Sequence, residues 1–384
     1  MIKNFFKSEF AIGVCLLLAT IAALIISNSS FYNLYQSFLA INLPINLDFL
    51  QINKNLTLLE WINDAAMAVF FLLVGLELKH EILIGELSSR QKISLPAIAA
   101  CGGVLIPMII FALLNYDNAD SAKGFAIPCA TDIAFAYGMI SLFGKSITNS
   151  AKIFLVALAV LDDLIAIIII AFFYSQNIKS YYLLIALIII SALYLLNLLK
   201  VKNIFAYLFL GILLWLALLE SGIHATLTGV LLAMFIPLQF KNKPIAPKLA
   251  KQISPLVNFI ILPIFAFANA GVKIENFSSD LFFNKIFLGI ALGLFLGKQI
   301  GVMLFSFIAV KMKISSLPSG ASWLEFYAVA IFTGIGFTMS LFVGSLAFFD
   351  NHNLLNFAKL GVLFGSAASV IFGSLVIVLI KKKR

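Results

Sequence analysis

The chain has 384 residues, of which 62% are hydrophobic and only 11% charged, and its mean hydropathy is +1.08. A soluble domain carries nearer a quarter charged residues, so the composition excludes a water-soluble globular protein and points to helices in a bilayer. The net charge of +9 does not mark a nucleic-acid binder, because the basic residues are dispersed in short loops between apolar runs.

In chain order, Lys3 and Lys7 precede an apolar run from Phe10 to Ile26 without a small-residue cleavage site, which reads as a retained signal anchor and first span. Further apolar windows fall at roughly 61–79, 93–114, 124–143, 152–174, 181–199, 204–219, 222–238, 253–271, 285–310, 324–348 and 354–380. The spacing predicts an all-α polytopic membrane protein in one domain over 1–384, with about twelve transmembrane helices, or eleven or thirteen because several windows are short or interrupted. Between the first two helices, residues 42–57 alternate in part (Ile45, Leu47, Phe49, then Ile52 and Leu56) around Asn and Asp, the pattern of a short β-hairpin on the outer surface. Such a hairpin either meets a second copy of the chain or folds back on its own subunit. Lys and Arg cluster at Lys3/Lys7, Lys79/Arg90/Lys92, Lys145/Lys152, Lys200/Lys202, Lys241/Lys243/Lys248/Lys251, Lys311/Lys313 and Lys381–Arg384, on alternate loops. By the positive-inside rule both termini are then cytoplasmic. Cys15, Cys101 and Cys129 stand in apolar stretches without metal-ligand spacing and read as small buried hydrophobes.

Four charges lie inside predicted spans, near midplane depth. Asp162 and Asp163 are adjacent in 153–173, Asp132 lies in 124–143 and Lys298 in 286–310. A charge there costs on the order of 2.5–3.5 kcal/mol on insertion scales, and residues that unfavourable usually serve an ion or proton path. Gly289, Gly293, Gly297 and Gly301 recur every fourth residue around Lys298, a ridge that lets a neighbouring backbone approach and turns Lys298 toward a protein interior. Two spans carry helix breakers: Pro128 before Thr131 in the fourth, and Thr333-Gly334-Ile335-Gly336-Phe337-Thr338 in the eleventh. Interrupted segments at corresponding places in two halves point to an inverted-topology repeat, here spans 3–5 and 10–12 (roughly 93–174 and 285–380), with discontinuous helices 4 and 11. Half-helix ends carry partial charges, so Asp132 is expected to offset converging positive ends and Lys298 converging negative ones.

Adjacent buried carboxylates repel each other and hold protons readily, and a nearby Lys298 opposes this. Deprotonated, they and the Thr131 hydroxyl offer hard oxygen ligands suited to Na⁺ or Li⁺. Protons and a metal ion exclude each other on the same oxygens; at a site open to one side at a time, that exclusion is antiport. An Asp162–Lys298 ion pair, broken when Na⁺ arrives, would couple an extra proton and make exchange electrogenic.

These residues occur in longer stretches that resemble the bacterial NhaA family of Na⁺/H⁺ antiporters: Gly75-Leu76-Glu77-Leu78-Lys79, Ala130-Thr131-Asp132-Ile133-Ala134-Phe135-Ala136, Leu161-Asp162-Asp163-Leu164, Ser221-Gly222-Ile223-His224-Ala225-Thr226, 262–271, Gly297-Lys298 and Gly334-Ile335-Gly336-Phe337-Thr338-Met339-Ser340. The resemblance covers nearly the whole chain. It implies twelve helices with crossing broken fourth and eleventh members, and electrogenic extrusion of internal Na⁺ or Li⁺ for external protons across a bacterial inner membrane. It also implies regulation of internal pH, no cofactor, and a homodimer joined through the outer hairpin. By matching motif positions, Asp163 is the principal Na⁺ ligand with Asp162 and Thr131 close by, Lys298 pairs with Asp162, and Asp132 balances helix ends. Glu77, Glu81 and His224 fall on positions linked to pH response. Two departures bear on regulation: His80 stands where an arginine is usual, and Lys248-Leu249-Ala250-Lys251 lacks an acidic residue of the cytoplasmic funnel.

The rival reading is a Na⁺-coupled organic-anion symporter on a similar scaffold, but Lys298 is the one membrane-embedded cation offered to an anion. No filter-like repeat of carbonyl-presenting loops suggests a channel. An intramembrane aspartyl protease needs its two aspartates on facing helices, so adjacent ones argue against an enzyme.

Overall fold

A helix lies within each predicted apolar window, and the helices begin where the sequence supplies caps. The computed structural model describes residues 9–47, 52–85, 87–175, 177–241, 243–273 and 283–383. Lys3, Lys7, Phe49 and Arg384, used above, lie outside the described residues. In chain order the elements are α1 (Glu9–Ser27), α2 (Tyr32–Leu39), the hairpin β1 (Asn42–Leu47) and β2 (Ile52–Thr57), α3 (Leu58–Leu83), α4 (Arg90–Asn115), α5 (Ala119–Cys129) and α6 (Ile133–Ser141). They continue as α7 (Asn149–Phe173), α8 (Ser180–Leu198), α9 (Ile204–Ser221), α10 (Leu227–Phe235), a two-residue ladder β3 (Gln239–Phe240) and β4 (Lys243–Pro244), and α11 (Ala246–Ala270). The chain closes with α12 (Lys285–Lys311), α13 (Trp323–Phe332), α14 (Phe337–Ala347) and α15 (His352–Lys383). Thr57 with Glu60, and Ser322 with Glu325, form reciprocal capping boxes at α3 and α13. Asn118, Asp132, Asn203 and Asn284 cap α5, α6, α9 and α12.

Among the described residues, eight helices are long and apolar enough to cross a bilayer, and up to eleven spans result if each of three bent pairs counts as one. Two of these pairs are the predicted broken spans: α5–α6 bends by 41° and α13–α14 by 42°. The window at 222–238 falls outside this count, because it yields only the nine-residue α10. Its first residues, around His224-Ala225-Thr226, are turns held by i→i+3 bonds from Leu227, Thr228 and Gly229.

The chain divides into two compact units: Met1–Leu24, Glu86–Ala166 and Asn269–Arg384 in one, Ile25–Gly85 and Ile167–Ala268 in the other. In the first, the glycine ridge of α12 makes the close approach that its spacing predicts. A Cβ on Gly297 would stand 2.9 Å from Pro107 Cα, and one on Gly293 2.7 Å from Pro128 Cβ, while Gly301 and Gly102 face each other backbone to backbone. Substituting Gly297 by Val therefore forces α4 and α12 apart. An overpacking penalty of about 1–3 kcal/mol is expected, read as a lowered thermal midpoint of the purified protein; an unchanged midpoint would contradict this packing.

In the second unit, Leu72, Leu76, Leu193, Leu214, Leu232 and Tyr207 centre a core shared by α3, α8, α9 and α10. The hairpin pairs antiparallel from Asn42↔Thr57 to Leu47↔Ile52. Its inward side folds on its own subunit: Leu56 is buried with Tyr182, Trp215, Leu216 and Leu219, and Ile45, Leu47 and Trp61 pack against them. Lys54 Nζ donates to Leu219 O at 2.8 Å, and Trp61 Nε1 to Leu43 O at 2.9 Å. Leu43 itself stays exposed. Lys79 has a structural partner that topology alone does not foretell: its ammonium donates to Met234 O and Ile236 O, both at 2.6 Å, and so closes the C-terminal end of α10. The cysteine reading needs correction, since only Cys129 is buried, Cys15 is half-buried and Cys101 is exposed. Apolar surface facing lipid and apolar surface facing protein read alike in a sequence.

Candidate functional site

The first unit places the predicted intramembrane charges together. Burial of the α5 end as a 3₁₀ turn through Pro128 leaves residues 130–132 without helical partners before α6 begins, and 333–336 break α13 from α14 in the same way. Backbone freed inside a membrane protein must find partners in protein. The two breaks supply them to each other. Asp132 N–H donates to Ile335 O at 2.7 Å, Thr131 Oγ1 to Thr333 O at 2.9 Å, and Ser340 Oγ to Ile127 O at 2.7 Å.

Asp132 stands at two helix starts. One carboxylate oxygen caps α6 by accepting Phe135 N–H at 2.9 Å. The other accepts Thr338 N–H, in the first turn of α14, at 3.1 Å, and the Thr338 hydroxyl. A carboxylate facing the N-terminal ends of two helices meets their partial positive charges. Thr338, quoted in a motif but given no role by sequence reasoning, is thus a partner of Asp132.

Asp162 and Asp163 lie near the middle of α7, the most enclosed of the eight spans, with 72% of its apolar window buried. Thr131, Asp132, Asp162, Asp163 and Lys298 are all between 0 and 2% exposed. Lys298 Nζ donates to Asp162 Oδ2 at 2.6 Å, and Thr131 Oγ1 donates to the same oxygen at 2.8 Å. Thr131 has one hydroxyl proton and two acceptors, Asp162 Oδ2 and Thr333 O, so the hydroxyl links the carboxylate to the broken span. Asp162 Oδ1 accepts no hydrogen bond among the described residues. Asp163, the next residue, points about 100° away on the helix and is equally buried. The ammonium of Lys298 is engaged by Asp162, not by the carbonyl ends of α5 or α13, in the hydrogen bonds of the described residues.

The arrangement holds a cation on a carboxylate at low dielectric, where removing either partner is costly. It also leaves hard oxygens beside that pair.

The residues expected to respond to pH lie in the other unit. Glu77 and Glu81 are on α3, with His80 Nδ1 3.9 Å from Glu81 Oε1. His224 sits in the turn before α10, its Nδ1 3.0 Å from Thr226 Oγ1 and 3.8 Å from Asp64 Oδ1. At the funnel departure, Ala250 packs against the core of its unit and Lys251 is exposed.

The chain is similar along its whole length to a group of named proteins. The sequence profile of the family described as Na⁺/H⁺ antiporter 1 matches residues 3–377. A protein of Pelagibacter ubique named Na(+)/H(+) antiporter NhaA is 48% identical over 392 aligned residues, covering 100% of both chains. One of Shewanella amazonensis with the same name is 47% identical, covering 97% of this chain and 95% of its own. A Campylobacter jejuni protein named Na(+)/H(+) antiporter NhaA 2 is 45% identical, covering 99% of this chain and 100% of its own. With the profile spanning nearly every residue and relatives matched end to end, this chain belongs to the Na⁺/H⁺ antiporter 1 family.

Proposed function

We propose that this protein is a secondary antiporter, not an enzyme, that extrudes Na⁺ and Li⁺ from the cytoplasm in exchange for external protons. The observation that carries the reading is the buried Asp162–Lys298 pair, with Thr131 on the same carboxylate oxygen and Asp163 next in the chain. Asp163 is the principal Na⁺ ligand, assisted by Asp162 and Thr131. Asp132 balances the converging helix starts. The ions are cargo, and no resident cofactor is called for.

In the cycle, the carboxylates take protons from the outside and release them inside, where Na⁺ replaces them. Na⁺ arriving beside Asp162 weakens its hold on Lys298, and the proton lost with that pair is the extra one. More than one proton per Na⁺ makes each turnover electrogenic, driven by about 2.3 kcal/mol per charge for each 100 mV. The two broken spans are the central members of an inverted repeat (roughly 93–174 and 285–380) within a twelve-helix fold, both termini cytoplasmic, in a bacterial inner membrane. Glu77, Glu81 and His224 serve the pH response that fits such a protein to control of internal pH and sodium. For His224, the Asp64 carboxylate 3.8 Å from Nδ1 is the group placed to favour a protonated ring. The exposed Leu43 edge of the hairpin is the surface for a homodimer.

A Na⁺ pulse to everted vesicles, read with a pH-sensitive dye, tests the reading. An antiporter releases luminal protons with no organic solute present. Proton movement that appears only after an organic anion is added would favour the symporter instead.

A further inference from the structure

The span that carries Lys298 is not a regular α-helix at the lysine. Residues Gly293–Gly297 of α12 form a π turn, and Lys298 N–H closes it on Gly293 O, five residues back. One extra residue in a turn rotates everything after it by roughly 100° relative to an uninterrupted α-helix. The π turn therefore decides which way Lys298 faces. Its sequence, Gly-Leu-Phe-Leu-Gly, offers no intrinsic reason to adopt a wide turn, so tertiary contacts must hold it.

Such a contact exists at the next residue. Gln299 is 5% exposed, and its amide is spent on both sides. Nε2 donates to Phe295 O, inside the π turn, and Oε1 accepts the Tyr327 hydroxyl at 2.8 Å. Tyr327 is on α13, six residues before Thr333, whose carbonyl accepts the Thr131 hydroxyl. One buried side chain thus ties the turn that aims Lys298 to the helix whose broken end meets Thr131. The site chemistry described above makes no use of either residue.

We propose that Gln299 and Tyr327 are positioning residues for ion exchange: they latch the π turn to α13 and so hold Lys298 on Asp162. This rests on the reading of Asp162, Asp163 and Lys298 as the exchange site. Loss of the latch lets Lys298 withdraw, and Asp162 then keeps its proton against Na⁺ more readily.

The test is Na⁺-driven exchange by full-length protein in proteoliposomes at one fixed pH, over a Na⁺ series, for Gln299→Leu, Tyr327→Phe and the double variant, with Asp163→Asn as reference. Tyr327→Phe removes one hydroxyl and keeps the ring, so it folds even where Gln299→Leu folds poorly. The expected result is that half-saturating Na⁺ rises about fivefold in Tyr327→Phe, the worth of one buried neutral hydrogen bond, and at least as much in Gln299→Leu, which loses the bond to Phe295 O as well. The change falls on half-saturation rather than on maximal rate, and the double variant is no worse than Gln299→Leu, because the two residues act through one bond. Unchanged half-saturation in Tyr327→Phe, or additive effects in the double variant, would overturn the latch while leaving the exchange site standing. Full exchange by Asp163→Asn would overturn the site itself.

Discussion

Exchange by Asp163→Asn is expected to fall at least about 100-fold, with the fold intact. Asparagine keeps the shape of aspartate and one carbonyl oxygen, but it has neither the charge that holds Na⁺ nor a proton to trade for it. A hydrogen bond or ligand contact to a charged group is worth about 1.5–3 kcal/mol, and loss of the carried proton removes the reaction itself. The thermal midpoint should hold or rise, because the substitution removes one of two adjacent buried charges. Exchange and melting measured on the same preparation separate the two effects. Robust exchange by a well-folded Asp163→Asn protein would show that Asp163 is not the ligand.

Lys298→Ala is expected to act differently. It leaves Asp162 buried without its cation and removes the donor that stands 2.6 Å from Oδ2. Breaking a buried pair from one side costs about 3–5 kcal/mol, which Asp162 partly escapes by taking a proton permanently. The midpoint should drop by several degrees. Exchange that remains should carry no net charge, since the extra proton was coupled through the pair. Current measured on solid-supported membranes, beside dye-detected proton release, reads this directly. Net charge movement equal to that of the unaltered protein would rule out the pair as the coupling device.

The charges at the heart of the site were legible because each stands in an otherwise apolar window. No other reading explains Asp162, Asp163 and Lys298 at midspan as economically. The hairpin was legible from alternation, and the breaks from Pro128 and from Thr333-Gly334-Ile335-Gly336. The partnership of those breaks was visible only as an expectation. That Asp132 accepts from Thr338, or that Asp132 N–H reaches Ile335 O, depends on a register between segments some 200 residues apart, which no local pattern encodes. The π turn before Lys298 was hidden for a related reason. Helical periodicity in an apolar span is weak when lipid-facing and protein-facing positions are both apolar, so one inserted residue leaves no trace. Which of the short windows falls below a full span has the same cause, as at α10 an apolar run continues through a stretch that the backbone traverses in turns.

The account stands on competition between hydrogen ions and sodium for the same buried oxygens, and half-saturating Na⁺ measured across a pH series with the purified, reconstituted protein tests it most directly. The predicted result is a rise of about tenfold for each unit of acidification per competing proton, with the maximal rate at saturating Na⁺ far less affected. A half-saturating concentration that stays constant from acid to alkaline medium would contradict it.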